Sequence, residues 1–114
     1  MTVEERRQAR LAKLKANLVI GHDQDDAILT LHLNAAMDYA GKFQHKDNAY
    51  YSTHRMSPTT LQAVILLASF YYESKDGGAG GFFTPTTTAA KQTLECVDTL
   101  LRLDKEWKIR LIGL

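Results

Sequence analysis

The side chains best placed to do chemistry are acidic. Asp23, Asp25 and Asp26 stand around Gln24, with His22 beside them. A calcium loop would need an oxygen ligand at its fifth position, Gly at its sixth and a bidentate Glu at its twelfth. Counted from Asp23, those positions hold Ala27, Ile28 and Asn34. The carboxylates instead read as a helix start with Asp23 as its N-cap, where negative charge is favourable against the helix dipole. An enzyme centred on Asp25, Asp26 or His22 would need a nucleophile or oxyanion donor at a defined spacing, and the neighbouring sequence offers neither. His22, His32, His45 and His54 lack the His-x-x-x-His spacing of a helical metal site. Cys96, the single cysteine, lies beside an apolar stripe and reads as a small filler. The expectation is a chain with no catalytic residue, no metal and no cofactor.

Two further constellations could carry binding. Arg6, Arg10 and Lys13 recur at three- to four-residue spacing and could touch a phosphate backbone, although such a run is more often a solvated helix face. Helix-turn-helix spacing with a short Gly-containing turn is missing. The run Asp76-Gly77-Gly78-Ala79-Gly80-Gly81 is followed by Phe82 and Phe83 rather than by the Gly-Lys-Ser/Thr of a phosphate loop. It reads either as a plain linker or as a deformable arm that ends in an aromatic plug.

These residues must be positioned by one small domain, spanning residues 1–114. The chain has 114 residues, 45% of them apolar and 24% charged, and a net charge of +1. That is enough for one core with a radius of gyration of roughly 13 Å. Near-neutral charge does not suit a protein whose whole surface serves nucleic acid or a membrane. The uncharged run from Met56 to Tyr72 carries Ser57, Pro58, Thr59, Thr60, Gln62 and Ser69, so it reads as a buried helix and not as a membrane span. The charged first residues, without a signal-peptide core, and the lone cysteine predict an intracellular protein.

The elements follow from caps and period. Thr2 and Glu5 form a capping-box pattern opening a first helix that ends by Gly21. Ile28, Leu31, Ala35, Tyr39 and Phe43 give a second helix over Asp26 to Phe43, with small residues at Ala35, Ala36 and Ala40 that allow close approach. Residues 44–56 have no helical period. Their Tyr50-Tyr51-Ser52-Thr53 run is strand-prone, and the stretch reads as an ordered excursion with the tyrosines at a surface. Ser57 caps and Pro58 opens a third helix, apolar on all sides between Leu61 and Tyr72, so the sequence predicts that a neighbouring subunit covers part of it. Ala90, Leu94, Val97 and Leu101 define a fourth helix, and the alternation Trp107, Ile109, Leu111 predicts a short half-buried strand after it. The fold class is all-α, about four helices in a small bundle.

The order of elements resembles the small head-tail connector proteins of tailed bacteriophages and prophages, also called adaptor or DNA-packaging proteins. The resemblance is carried by Thr2-Val3-Glu4-Glu5, by Leu18-Val19-Ile20 with His22-Asp23-Gln24-Asp25-Asp26, and by Ile28, Leu29, Leu33, Ala36 and Tyr39. The apolar run Leu61 to Tyr72 with Glu73, and Leu94 to Arg102, complete it. Thr84-Pro85 and Leu101-Arg102 stand where the family often has Leu-Pro and Tyr-Arg.

The resemblance implies a non-enzymatic virion protein made in the host bacterial cytoplasm. It would form a cyclic homo-oligomer, twelve-fold on the portal, at the head-tail junction. Its partners would be copies of itself, the portal protein and a tail or head-closure protein, with double-stranded DNA passing through non-specifically and no membrane contact. Tyr50, Tyr51, Tyr71, Tyr72, Phe82, Phe83, Trp107, Ile109 and Leu111 are then the candidate interface residues. The competing class is a small regulatory or nucleic-acid-binding helical module that uses Arg6, Arg10 and Lys13 on the first helix.

Overall fold

Thr2 starts the first helix by accepting a hydrogen bond at Oγ1 from the Glu5 backbone N–H at 3.1 Å. The computed structural model describes the backbone of residues 2–74 and 88–113 and the side chains of 2–74 and 90–104. Within them the chain runs through α1 (Val3–Leu18), α2 (Asp26–Phe43), α3 (Tyr50–Thr53), α4 (Pro58–Ser74) and α5 (Thr88–Gly113), with no strand among the described residues. The all-α bundle expected from the sequence is the fold observed.

α4 is the central element and packs against α5, α2 and α1. Its start is fixed by Ser57, whose Oγ accepts from the Thr60 N–H at 3.1 Å while Pro58 fills the first helical position. Ala63, Val64, Leu67 and Ala68 meet Leu14 of α1, Leu29, Leu33, Ala36 and Ala40 of α2, and Val97 and Leu101 of α5 in one core. The alanines let the helix axes approach while the leucines fill the space between them. Each fully buried Leu contributes about 1.5–3 kcal/mol from water exclusion.

One expectation is narrowed and three are corrected. The side chains of α4 between Leu61 and Tyr72 are buried or half-buried apart from Gln62, so its own chain covers most of this helix and leaves Leu61, Leu66, Phe70, Tyr71 and Tyr72 half-buried. Tyr50–Thr53 is a short helix, not an extended run, because tertiary hydrogen bonds fix it. The segment holding Trp107, Ile109 and Leu111 continues α5 rather than forming a strand. Leu103, Trp107 and Leu111 also recur at helical spacing, no Gly or Pro interrupts them, and the described residues contain no strand to pair with. The N-cap of α2 is Asp25, not Asp23, because the turn after α1 consumes the intervening residues and Asp23 accepts the Asp26 N–H at its own backbone carbonyl, 3.3 Å away.

That turn is tight. Val19 closes α1 in the left-handed region at φ 58°, so that its N–H reaches Ala16 O and the Ile20 N–H reaches Lys15 O. A β-branched residue is strained in this conformation. Lys15 then ties the two helices together, donating to Asp23 at 2.7 Å and forming an ion pair with Asp26 at 2.9 Å. The two carboxylates hold the Lys15 ammonium above its usual pKa, and Lys15 in turn holds the Asp23 carboxyl below its own.

Candidate functional site

A concavity lies between the first half of α1, the middle of α2 and α3. It is a groove of about 500 Å³ with buried Leu33, Met37 and Tyr51 and half-buried Leu11 among its lining residues. Glu4, Arg7 and Gln8 of α1 and Asn34 and Asp38 of α2 line it as exposed polar residues. Leu31, also on α2, is 61% exposed. An apolar floor with charged walls can seat an amphipathic helix or peptide.

Arg10 shapes the inner end of the groove. Only 6% exposed, it donates to Tyr51 O at 2.7 Å and to His54 O at 2.9 Å, and lies 3.3 Å from Met37 Sδ. Burial first, then repulsion from Arg6 and Arg7, lowers the Arg10 pKa from its usual value. Arg6 donates to Thr53 O at 2.7 Å. These two arginines strap the α3 segment onto α1. Arg10 is therefore not a phosphate-contacting residue: helical spacing put it on the side of α1 that also carries the buried Leu14. Lys13 is exposed.

A buried polar chain fixes the other side of α3. The Tyr51 hydroxyl donates to Gln44 Oε1; Gln44 Nε2 donates to Thr60 Oγ1 at 3.0 Å and reaches Leu101 O at 3.4 Å; Thr60 Oγ1 donates to Asp104 Oδ2 at 2.8 Å. Tyr51 is 2% exposed and belongs to the core, which corrects its expected place at an interface. Sequence reasoning did not single out Gln44, Thr60 or Asp104. Their signal was available: Asp104 follows Val97 and Leu101 on the buried stripe of α5, and Thr60 precedes Ala63, Val64 and Leu67 on that of α4.

The remaining tyrosines are half-buried. Tyr50 stacks on His54 with centroids 3.9 Å apart and meets Tyr51 edge-on at 5.1 Å, while Lys46 Nζ lies 5.1 Å above its ring. Tyr72 donates its hydroxyl to Asp25 Oδ2, and His32 lies against the rings of Tyr71 and Tyr72 at 6.1 and 6.4 Å. Burial raises the Tyr71 pKa. Asp23, Asp25 and Asp26 thus serve Lys15 and Tyr72, and His22 Nδ1 accepts the Gln24 N–H at 3.2 Å. The acidic cluster is a helix junction. Among the described residues no three His, Cys, Asp or Glu side chains gather as a metal site, and no helix is long and apolar enough to cross a membrane. The Gly-rich run with Phe82 and Phe83, and the side chains of Trp107, Ile109 and Leu111, lie outside the described residues.

Residues 8–80 match the model of a family described as phage gp6-like head-tail connector protein. No curated protein and no solved structure matches the chain.

Proposed function

Because the chain belongs to the phage gp6-like head-tail connector family, we propose that it forms a ring beneath the portal, extends the DNA channel and joins the phage head to the tail or head-closure proteins. The family match carries this reading, since residues 8–80 run from within α1 through α4 and include Arg10 and most of the core. A structural role in the phage head-tail connection follows from membership itself. The ring, its twelve-fold symmetry, its seat on the portal and its assembly in the host cytoplasm are the finer part of the proposal. No reaction is assigned to it. The half-buried Tyr50, Tyr71 and Tyr72, with Phe82, Phe83 and the Trp107-Ile109-Leu111 segment, are the proposed contacts with neighbouring copies or the portal.

The geometry gives the nucleic-acid module less support than the sequence did. Of the three cations proposed to meet phosphate, Arg10 is buried and Arg6 donates into the α3 backbone. The decisive experiment mixes the protein with purified portal of the same phage and images the particles by negative stain, with native mass spectrometry for copy number. A cyclic oligomer capping one face of the portal with an open axial channel is expected. Portal particles that stay bare at saturating protein would overturn the reading.

A further inference from the structure

The connection from α2 to α4 carries two non-glycine residues in the left-handed region, His45 at φ 61° where α2 closes and Ala49 at φ 57° where α3 opens. A residue with a Cβ is disfavoured there and stays only where surrounding contacts hold it. Ala49 also gives α3 no side-chain cap. Four residues of helix do not persist alone in water, so α3 exists because it is docked.

The docking is largely polar. Arg6 donates to Thr53 O, and Arg10 donates to Tyr51 O and His54 O, carbonyls on the C-terminal side of α3 that a helix leaves to outside donors. Tyr51 is the buried side chain of α3; Tyr50 and Ser52 are half-buried, and Thr53 and His54 are exposed. The core that joins α1, α2, α4 and α5 through Leu14, Leu29, Val64 and Leu101 takes only Tyr51 from this segment as a buried member. Strain at Ala49 and a single apolar anchor mark a segment of low local stability.

We infer that residues 47–55 form a strained latch: α3 undocks from α1 and unwinds as one unit while α1, α2, α4 and α5 stay folded. Ala49, Tyr51 and Ser52 line the groove, so the groove is complete only while the latch is closed. Opening uncovers Met37, 8% exposed in the closed form, and frees the donors of Arg10. The latch does not depend on the connector reading and stands or falls apart from it.

Hydrogen exchange of the full-length chain, followed by NMR across a series of low urea concentrations, tests it. The Ser52 and His54 amides bond to Ala49 O and Tyr50 O. Corrected for intrinsic rates, they should exchange at least about a hundredfold faster than the Val64 and Leu67 amides of α4, with a response to urea far flatter than theirs. Ala49→Gly, which removes the left-handed penalty, should slow the two α3 amides about threefold. Arg6→Ala, which removes one strap, should speed them about tenfold with helix content by circular dichroism retained. Peroxide oxidation of Met37, read by mass, should show the same flat urea response. Exchange of the α3 amides at the rate and urea slope of the α4 amides overturns the latch, as does a steep urea response at Met37. Faster or unchanged exchange in Ala49→Gly removes the strain from it and overturns it equally.

Discussion

Arg10 is held by two carbonyls and a thioether rather than by a carboxylate, so its contribution lies in satisfying backbone acceptors and not in neutralising a charge. Removing the donor leaves two carbonyls without it at a buried site, which costs about 1–3 kcal/mol for each group left unsatisfied. Arg10→Met, which keeps the apolar stem, should destabilise the fold by about 2–4 kcal/mol in urea unfolding with little change in slope. Lys13→Met on the exposed side should stay within about 0.5 kcal/mol. Arg10→Lys should not restore stability, because a single ammonium lacks the planar fork that spans both carbonyls. Tyr39 makes a second prediction. Burial, with the hydrogen bond its hydroxyl donates to Asp98 at 2.7 Å, pushes its phenol up to about 12 from the usual 10.0. The folded state therefore holds this proton more tightly than the unfolded chain does. Its contribution to stability is complete below pH 10 and is lost as pH rises from there through about 12. Denaturation followed across that window should flatten in Tyr39→Phe, and absorbance titration should lose its highest phenolate transition.

At the scale of elements, the α2–α4 connection is organised by side chains that come from four different helices or their ends. Thr60 is the hinge of this chain, accepting from Gln44 and donating to Asp104. Thr60→Val is nearly isosteric but strips both bonds from buried partners. It should cost about 2–4 kcal/mol. Ser57→Ala, three residues earlier, removes only the cap and should cost about 1 kcal/mol. A Tyr51→Phe and Asp104→Asn double-mutant cycle should show coupling above about 0.5 kcal/mol, since the two share the Gln44–Thr60 relay. The same contrast explains what could be read from sequence. The spans of α1, α2 and α4 were legible because caps at Thr2 and Ser57, the acidic start at Asp25 and Asp26, and a sustained apolar period all act locally. α3 was not, because Tyr50-Tyr51-Ser52-Thr53 is intrinsically strand-prone and is made helical by Arg6, Arg10 and Gln44, residues 7 to 47 positions away. The end of α5 was misread because Trp107, Ile109 and Leu111 fit a period of two, while Leu103, Trp107 and Leu111 fit a helix equally well. The groove was invisible for a related reason: it lies between segments whose contact is set by buried Arg10, a residue whose charge places it on the surface in a reading of sequence alone.

At the scale of the molecule, the net charge of +1 includes several cations that the fold has already engaged. Lys15 bridges Asp23 and Asp26, Lys42 pairs with Asp38 at 3.0 Å, Arg7 lies beside Glu4, and Arg6 and Arg10 hold the α3 backbone. Affinity for duplex DNA grows with the number of phosphates neutralised and falls steeply with salt. A face of α1 reduced from three cations to exposed Lys13 and a tethered Arg6 cannot gather the several contacts that tight binding needs. A wall around a moving duplex has the opposite requirement from a DNA-binding domain, because every phosphate held must be released for the next to pass. The protomer should therefore bind a random duplex no more tightly than about 10⁻⁴ M at physiological salt, the weak end of non-specific association. Fluorescence anisotropy with a labelled duplex over a salt series checks this. Micromolar binding with a slope reporting several released counterions would return the basic first helix to the centre of the protein's function, and Lys13→Ala and Arg6→Ala would then have to abolish it. Retained weak binding in both variants would show instead that α1 uses its arginines to build the fold.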